Sequence, residues 1–193
     1  MLTYDLRNHG ESDVHNNGHI GLTHTEYQDS VASVRYAKKY HTSKRLYLFS
    51  QCYGAVATMR GMEKNPADFE GISALICIQL LSADAFVNGV CQKLGISHKN
   101  NIQRFSSRLK KKTGYDVSQL RVPDIADAVK VPTLLVQVQE DWRTTQEDLE
   151  MIFENLGTSD KKMFWIKNED ERLDGYNFFA NNPVEMTDWF DRH

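Results

Sequence analysis

The sequence predicts an α/β fold, a mostly parallel sheet flanked by helices, and three observations carry that expectation. An apolar, aromatic run from Leu46 to Phe49 leads through Ser50-Gln51-Cys52-Tyr53-Gly54 straight into the small-residue helix start Ala55-Val56-Ala57, which reads as strand, sharp turn and helix. Residues 71–79 form a continuous apolar run, typical of a parallel strand buried on both faces. Two more strand-like runs, 132–139 and 161–166, stand on either side of a helical segment at 146–156.

The elements follow in order. Thr23-His24-Thr25-Glu26 matches a capping box, and Tyr27, Val31 and Val34 recur at helical spacing, so a helix is expected to about His41. Residues 44–50 are the strand before the turn, and 52–64 the helix after it, stopped by Asn65-Pro66. Cys77, inside the 71–79 run, is most simply a small core hydrophobe. From 81 to 129 the periodicity is irregular and the composition turns polar and basic. The 146–156 helix ends at Gly157, and 184–190 lie in a final helix. There are no internal repeats, so 1–193 is expected to be one domain with 81–129 as an excursion from it.

Composition narrows the function classes. The chain has 193 residues, 40% hydrophobic and 25% charged, enough for a substantial core in one globular domain. A formal charge of -3 and the lack of a basic stripe with interleaved aromatics argue against a nucleic-acid partner. The one basic cluster, Arg104 to Lys112, reads as a solvated helix face, with a site for an anionic carrier such as a CoA phosphate as the sharper alternative. No signal peptide and no bilayer-length apolar stretch are visible, so no membrane partner is expected. Three cysteines without paired spacing suit a reducing compartment, and a cytoplasmic location is the expectation. No metal-ligand spacing and no cofactor motif is visible.

The turn at Cys52 resembles the nucleophile elbow of the α/β-hydrolases, with cysteine in the place usually held by serine. Three more landmarks resemble that family in the right order. Asp5, Arg7, His9, Gly10 and Ser12 match the D-x-R-x-H-G-x-S turn after its fourth strand. The 131–139 run ends near Asp141, where the family carries its triad acid, and the tail resembles its last strand and helix. The resemblance implies Cys52 as nucleophile, Asp141 as acid and the backbone N–H of Tyr53 as an oxyanion donor. It implies small residues at Ser50 and Gly54 where strand and helix backbones nearly touch. It also implies a helical cap over 81–129, with Phe86, Val87, Phe105 and Tyr115 as candidate lining residues and Trp142 at the pocket or its rim. Cys52 also has a plainer role open to it, a buried cysteine in an ordinary β-α turn.

Two departures from the family bear on function. Glu171 occupies the place expected of the triad histidine, and no histidine lies between His98 and His193. A neighbouring imidazolium favours a reactive thiolate, whereas a carboxylate opposes it; Asp141, Glu169, Asp170 and Glu171 would crowd the same rim. Arg143, Arg172 and the N-terminus of the elbow helix could compensate. His15, His19 and His98 are the candidate substitute bases, and His9 reads as structural. The second departure is an N-terminally shortened fold: residues 1–6 are expected to be the strand before the D-x-R turn, without the strands that precede it in the family. The gap would close by direct pairing, by a homo-oligomer, or by a missing N-terminal segment completing the sheet.

Two functions are therefore expected. The first is a cysteine-dependent hydrolase or acyltransferase acting on an ester, thioester or lactone, similar to dienelactone hydrolases or bile-acid-CoA acyltransferases in its elbow cysteine. The second is a catalytically silent α/β-hydrolase-like protein with a degenerate triad, which binds an apolar ligand or serves assembly.

Overall fold

The computed structural model describes residues 1–41, 45–167 and 172–193. Among these residues four strands, β1 (Tyr47–Gln51), β2 (Ala74–Ile78), β3 (Thr133–Val138) and β4 (Lys161–Ile166), pair in that order, all parallel. Among the described residues eight α-helices accompany them: α1 (Tyr27–Tyr40), α2 (Cys52–Lys64), α3 (Pro66–Phe69), α4 (Ala83–Leu94), α5 (His98–Thr113), α6 (Gln146–Asn155), α7 (Arg172–Asn181) and α8 (Val184–Arg192). The expected α/β class is the class observed.

The alternation of side chains along each strand divides the core in two. On one face Leu75, Cys77 and Leu135 pack with Val34 of α1, Met59 of α2 and Ile152 of α6. On the other, Ile76, Ile78, Leu134 and Val136 meet Phe179 of α7 and Trp189 of α8. β2 and β3 are buried along their whole length, which explains why their sequences show no polar alternation. Cys77 is completely buried and its thiol is pushed well above the ordinary range by desolvation, so it is the core residue expected. β1 is only half-buried, with Phe49 43% exposed.

The 81–129 segment, irregular by sequence, holds α4, α5 and two short 3-10 helices, Val117–Leu120 and Pro123–Ala128. α5 buries none of its residues completely, and its surface character blurs the apolar periodicity.

Three expectations are corrected. Residues 1–6 form no strand and are largely exposed, because the D-x-R-x-H-G-x-S motif acts as a self-contained turn clamped to α1. The Asp5 carboxylate accepts from the Glu11 N–H (3.1 Å), while the Arg7 guanidinium forks onto Asp29 at 2.7–3.1 Å. Gly10 has φ +51°, and a Cβ there would lie 2.0 Å from an Asp5 oxygen, so the turn requires glycine. The Nδ1 of His9 bonds to the Arg7 carbonyl within the same turn (2.9 Å). The second correction is that only half of the Thr23–Glu26 capping box forms. Glu26 accepts from the Thr23 N–H (3.0 Å), but the buried Thr23 hydroxyl has no partner, because Thr23 sits at φ +78° and Glu26 itself is the cap residue. The third is that residues 172–176, expected in a loop, open α7.

α6 shows how the helix ends behind the sheet are completed. The Thr145 hydroxyl accepts from the Asp148 N–H at 3.1 Å, and Lys161 of β4 donates to the Phe153 and Glu154 carbonyls, both at 2.8 Å. Burial pushes the Asp148 carboxyl up to about 6, reinforced by Asp84 and opposed by Ser82 and Arg121. Between the ordinary value of 3.8 and about 6 the folded chain therefore holds a proton that the unfolded chain has released. Stability falls as pH rises through that window, and the loss is complete above it. Asp148→Asn is expected to raise unfolding free energy by on the order of 2 kcal/mol at pH 8. Urea titrations should show that gain vanishing by about pH 4; a gain independent of pH would refute the assignment.

Candidate active site

The elbow is built as its sequence suggests. Gln51 leaves β1 in an extended conformation and Cys52 turns to φ +49°, a left-handed backbone that a non-glycine residue adopts at a cost of about 1–3 kcal/mol. The strain sets Cys52, half-buried, at the first position of α2. The N–H of Tyr53 follows in the first helical turn, where amide donors have no intrahelical acceptor. Ser50 is small for a different reason than close backbone approach. Its hydroxyl meets that of Thr58 at 3.0 Å, Thr58 donates to the Gly54 carbonyl at 3.0 Å, and Ser30 of α1 donates to Thr58 at 3.2 Å. At Gly54 a Cβ would meet nothing within 4 Å, so the expected backbone crowding is not found there.

Asp141 lies in the turn after β3, 6% exposed. Its carboxylate accepts from the Gln137 side-chain amide (3.0 Å) and from the Arg143 N–H (3.1 Å), with the Arg143 guanidinium 3.7 Å away. Its tightest partner is Arg172, the first residue of α7, whose Nη1 donates to Oδ2. Arg172 is itself only 4% exposed. Its Nη2 donates to the Gln79 carbonyl and its Nε to the Tyr176 hydroxyl at 2.8 Å.

Cys52 belongs to the same cluster. Burial by itself would lower the pKa of Arg172, but the fields of Cys52, Tyr176 and Asp141 and a hydrogen bond to Cys52 outweigh it, and the net direction is upward. The Tyr176 hydroxyl is pushed up to about 12, first by burial and then by a hydrogen bond and field from Cys52, against the opposing Arg172. The Arg172 guanidinium thus interacts with both Cys52 and Asp141. It is charged at every working pH and offers donors only, so it can balance a thiolate but cannot accept a proton.

Gln79, at the end of β2 with φ +56°, locks this arrangement. It is fully buried, donates from Nε2 to the Arg172 carbonyl (2.9 Å) and accepts at Oε1 from the Val138 N–H (3.2 Å). Gly175 lets α7 come this close, since a Cβ there would lie 1.9 Å from the Gln79 Nε2. Arg172 was visible from sequence as a compensating cation; Gln79, Gln137 and Tyr176 carried no local signal.

The remaining expected residues lie apart from the cluster. Glu171, with Glu169 and Asp170, is outside the described residues. His15 is exposed in the 13–19 loop, His19 is half-buried there, and His98 opens α5. Among the described residues no hydrogen bond, ion pair or ring contact joins any of the three to Cys52 or Asp141. Their loops and helix are held by other partners, such as Asn8, which accepts from the His15 N–H (2.6 Å). Tyr115, expected to line a pocket, instead stacks on His24 with ring centroids 4.0 Å apart. Trp142 is clamped between Lys93 and Arg143, 4.3 and 4.4 Å from its ring centre. Among the described residues no group of three or more His, Cys, Asp and Glu could hold a metal, and no helix is long and apolar enough to cross a membrane.

No protein-family model and no curated protein matches the chain by sequence. Solved structures do match it in shape. The Pyrococcus furiosus esterase Pf2001 superposes with a TM-score of 0.69 at 15% identity, over 97% of this chain and 68% of that one. A monoacylglycerol lipase from Paleococcus ferrophilus gives 0.61 at 19% identity, over 96% and 82%. Est816, described as an N-acyl homoserine lactone degrading enzyme, gives 0.58 at 15% identity, over 95% and 80%. At these identities the likeness is one of fold.

Proposed function

For a chain with the α/β-hydrolase fold, we propose a cysteine-dependent acyl-transfer enzyme, a hydrolase or acyltransferase acting on an ester, thioester or lactone. The observation that carries this reading is Cys52, turned to φ +49° at the head of α2 beside the Arg172 guanidinium that also holds Asp141. The Cys52 thiolate attacks the acyl carbon, and the N–H of Tyr53 donates to the developing oxyanion. The bond to the leaving group then breaks, leaving an S-acyl cysteine. A thiolate acceptor attacks that carbonyl, or water attacks and releases its proton to solvent, the C–S bond breaks, and the Cys52 thiolate returns to its place beside Arg172 and Tyr176. Asp141 holds the guanidinium in position.

Arginine in place of a base favours thioesters among these substrates. A thiolate leaves without needing a proton, whereas an alkoxide does need one, and a water acceptor must lose one. The same feature favours a second reading, a catalytically silent ligand-binding or assembly protein, because the groups set against Cys52 are a guanidinium that accepts no proton and the Tyr176 phenol, pushed up to about 12. The two separate in one experiment. Wild-type protein incubated with an acyl-CoA thioester is expected to gain one acyl group on Cys52 by mass spectrometry. Cys52→Ala should lose both the adduct and turnover, by at least about a thousandfold. Turnover equal in the wild type and Cys52→Ala would rule out the nucleophile, and no adduct and no turnover in either would favour the silent protein.

A further inference from the structure

Away from Cys52, the α4–α5 pair holds two cavities that share Asn101, Arg104 and Arg108. One, of about 340 Å³, is walled by Phe86, Val87, Val90, Ile96 and Phe105. The other, of about 590 Å³, is walled by polar groups including Asn100, Gln103 and Ser107. Both volumes fall in the range of small-molecule sites. An apolar trough therefore runs into a polar one, with two guanidiniums at the junction. Ile96 is 46% exposed and Phe86 and Phe105 are each 36% exposed, so the trough is open to a ligand.

The charge around it is one-sided. From residue 85 to residue 115 the sequence carries seven lysines and arginines and no acidic residue. Lys93 lies over Trp142 and Lys110 is 3.6 Å from Asp116, but Arg104 and Arg108 have no acidic partner among the described residues. Two unneutralised guanidiniums beside an apolar wall complement a molecule that is anionic at one end and apolar along the rest.

We propose that this trough binds a single-chain anionic amphiphile, a fatty acid, with its chain against Phe86, Val90 and Phe105 and its carboxylate between Arg104 and Arg108. None of Cys52, Asp141, Arg172 and Tyr176 lines either cavity, so the site stands independently of the catalytic reading. It is mechanically tied to the acid turn, however. α4 presses its Gly89 against the backbone of Trp142, next to Asp141, so closely that a Cβ would lie 2.1 Å from the Trp142 carbonyl oxygen.

Titration calorimetry of the whole chain with dodecanoate, below its micelle-forming concentration, tests the site without reference to activity. Saturable one-to-one binding is expected, with dodecanol weaker. The surface double substitution Arg104→Gln/Arg108→Gln should weaken dodecanoate by about tenfold or more while leaving dodecanol unchanged. Val90→Trp, which fills the trough, should weaken both. Equal affinity for acid and alcohol, an undiminished double variant, or no heat from monomeric dodecanoate would each overturn the proposal. Binding only to phosphatidylglycerol vesicles would do so as well, and would mark the α4–α5 face as a bilayer-docking surface instead.

Discussion

Arg172→Met is expected to lower the unfolding free energy by about 3–5 kcal/mol, because it leaves the Asp141 carboxylate buried without its counter-charge. The side chains of Asp141 and Arg172 are only 1% and 5% exposed, so water cannot replace the lost partner. Gln137 and the Arg143 N–H would still donate to the carboxylate, but Gln137 is neutral and Arg143 sits farther out at 3.7 Å. The variant also removes the hydrogen bonds that Arg172 donates to the Gln79 carbonyl and the Tyr176 hydroxyl. Urea denaturation measures the loss, and a double-mutant cycle identifies its cause. Arg172→Met combined with Asp141→Asn should recover a large part of the stability, since the uncompensated charge is then gone. If the double variant is as unstable as the sum of the singles, the charge pair is not what holds α7 to the sheet.

The second large effect is expected at Gly89. The atom that a new Cβ would strike is the Trp142 carbonyl oxygen at 2.1 Å, with the Trp142 carbon at 3.2 Å and the Arg143 Cα at 3.3 Å. All three are backbone, so no side chain can rotate out of the way, and either α4 or the turn carrying Asp141 must move. Gly89→Ala is expected to cost about 1–3 kcal/mol from overpacking, beyond the roughly 1 kcal/mol that alanine would otherwise gain in a helix. The same shift should separate Trp142 from Lys93, so a change in tryptophan emission should accompany the loss of stability. A stable variant with unchanged emission would mean that α4 and the acid turn are not in contact.

Much of the fold could be read from local pattern. β4 and α2 begin and end where their apolar runs and the Asn65-Pro66 stop place them, and the fully buried β2 and β3 announce themselves as unbroken apolar stretches. α7 escaped because its sequence argues against a helix. Gly175 sits inside it, and its apolar residues do not line one face. What makes it helical is docking, with Gly175 against Gln79 and Arg172 bonded to the end of β2. Residues 1–6 erred in the opposite direction: a family landmark implied a strand, but the turn beyond it closes on itself and on α1 without a strand partner.

The candidate site divides in the same way. The sequence by itself determined the strand-turn-helix at Cys52 and the place of the Asp141 carboxylate after β3, because both are local properties of a few consecutive residues. It also showed that histidine is absent from the last third of the chain before His193. Only the tertiary structure decided what stands between Cys52 and Asp141. Arg172 reaches Asp141 across 31 positions and Gln79 across 93. No periodicity or spacing encodes such contacts, because they exist only once the sheet has set the ends of β1, β2 and β3 side by side and α7 has docked against them.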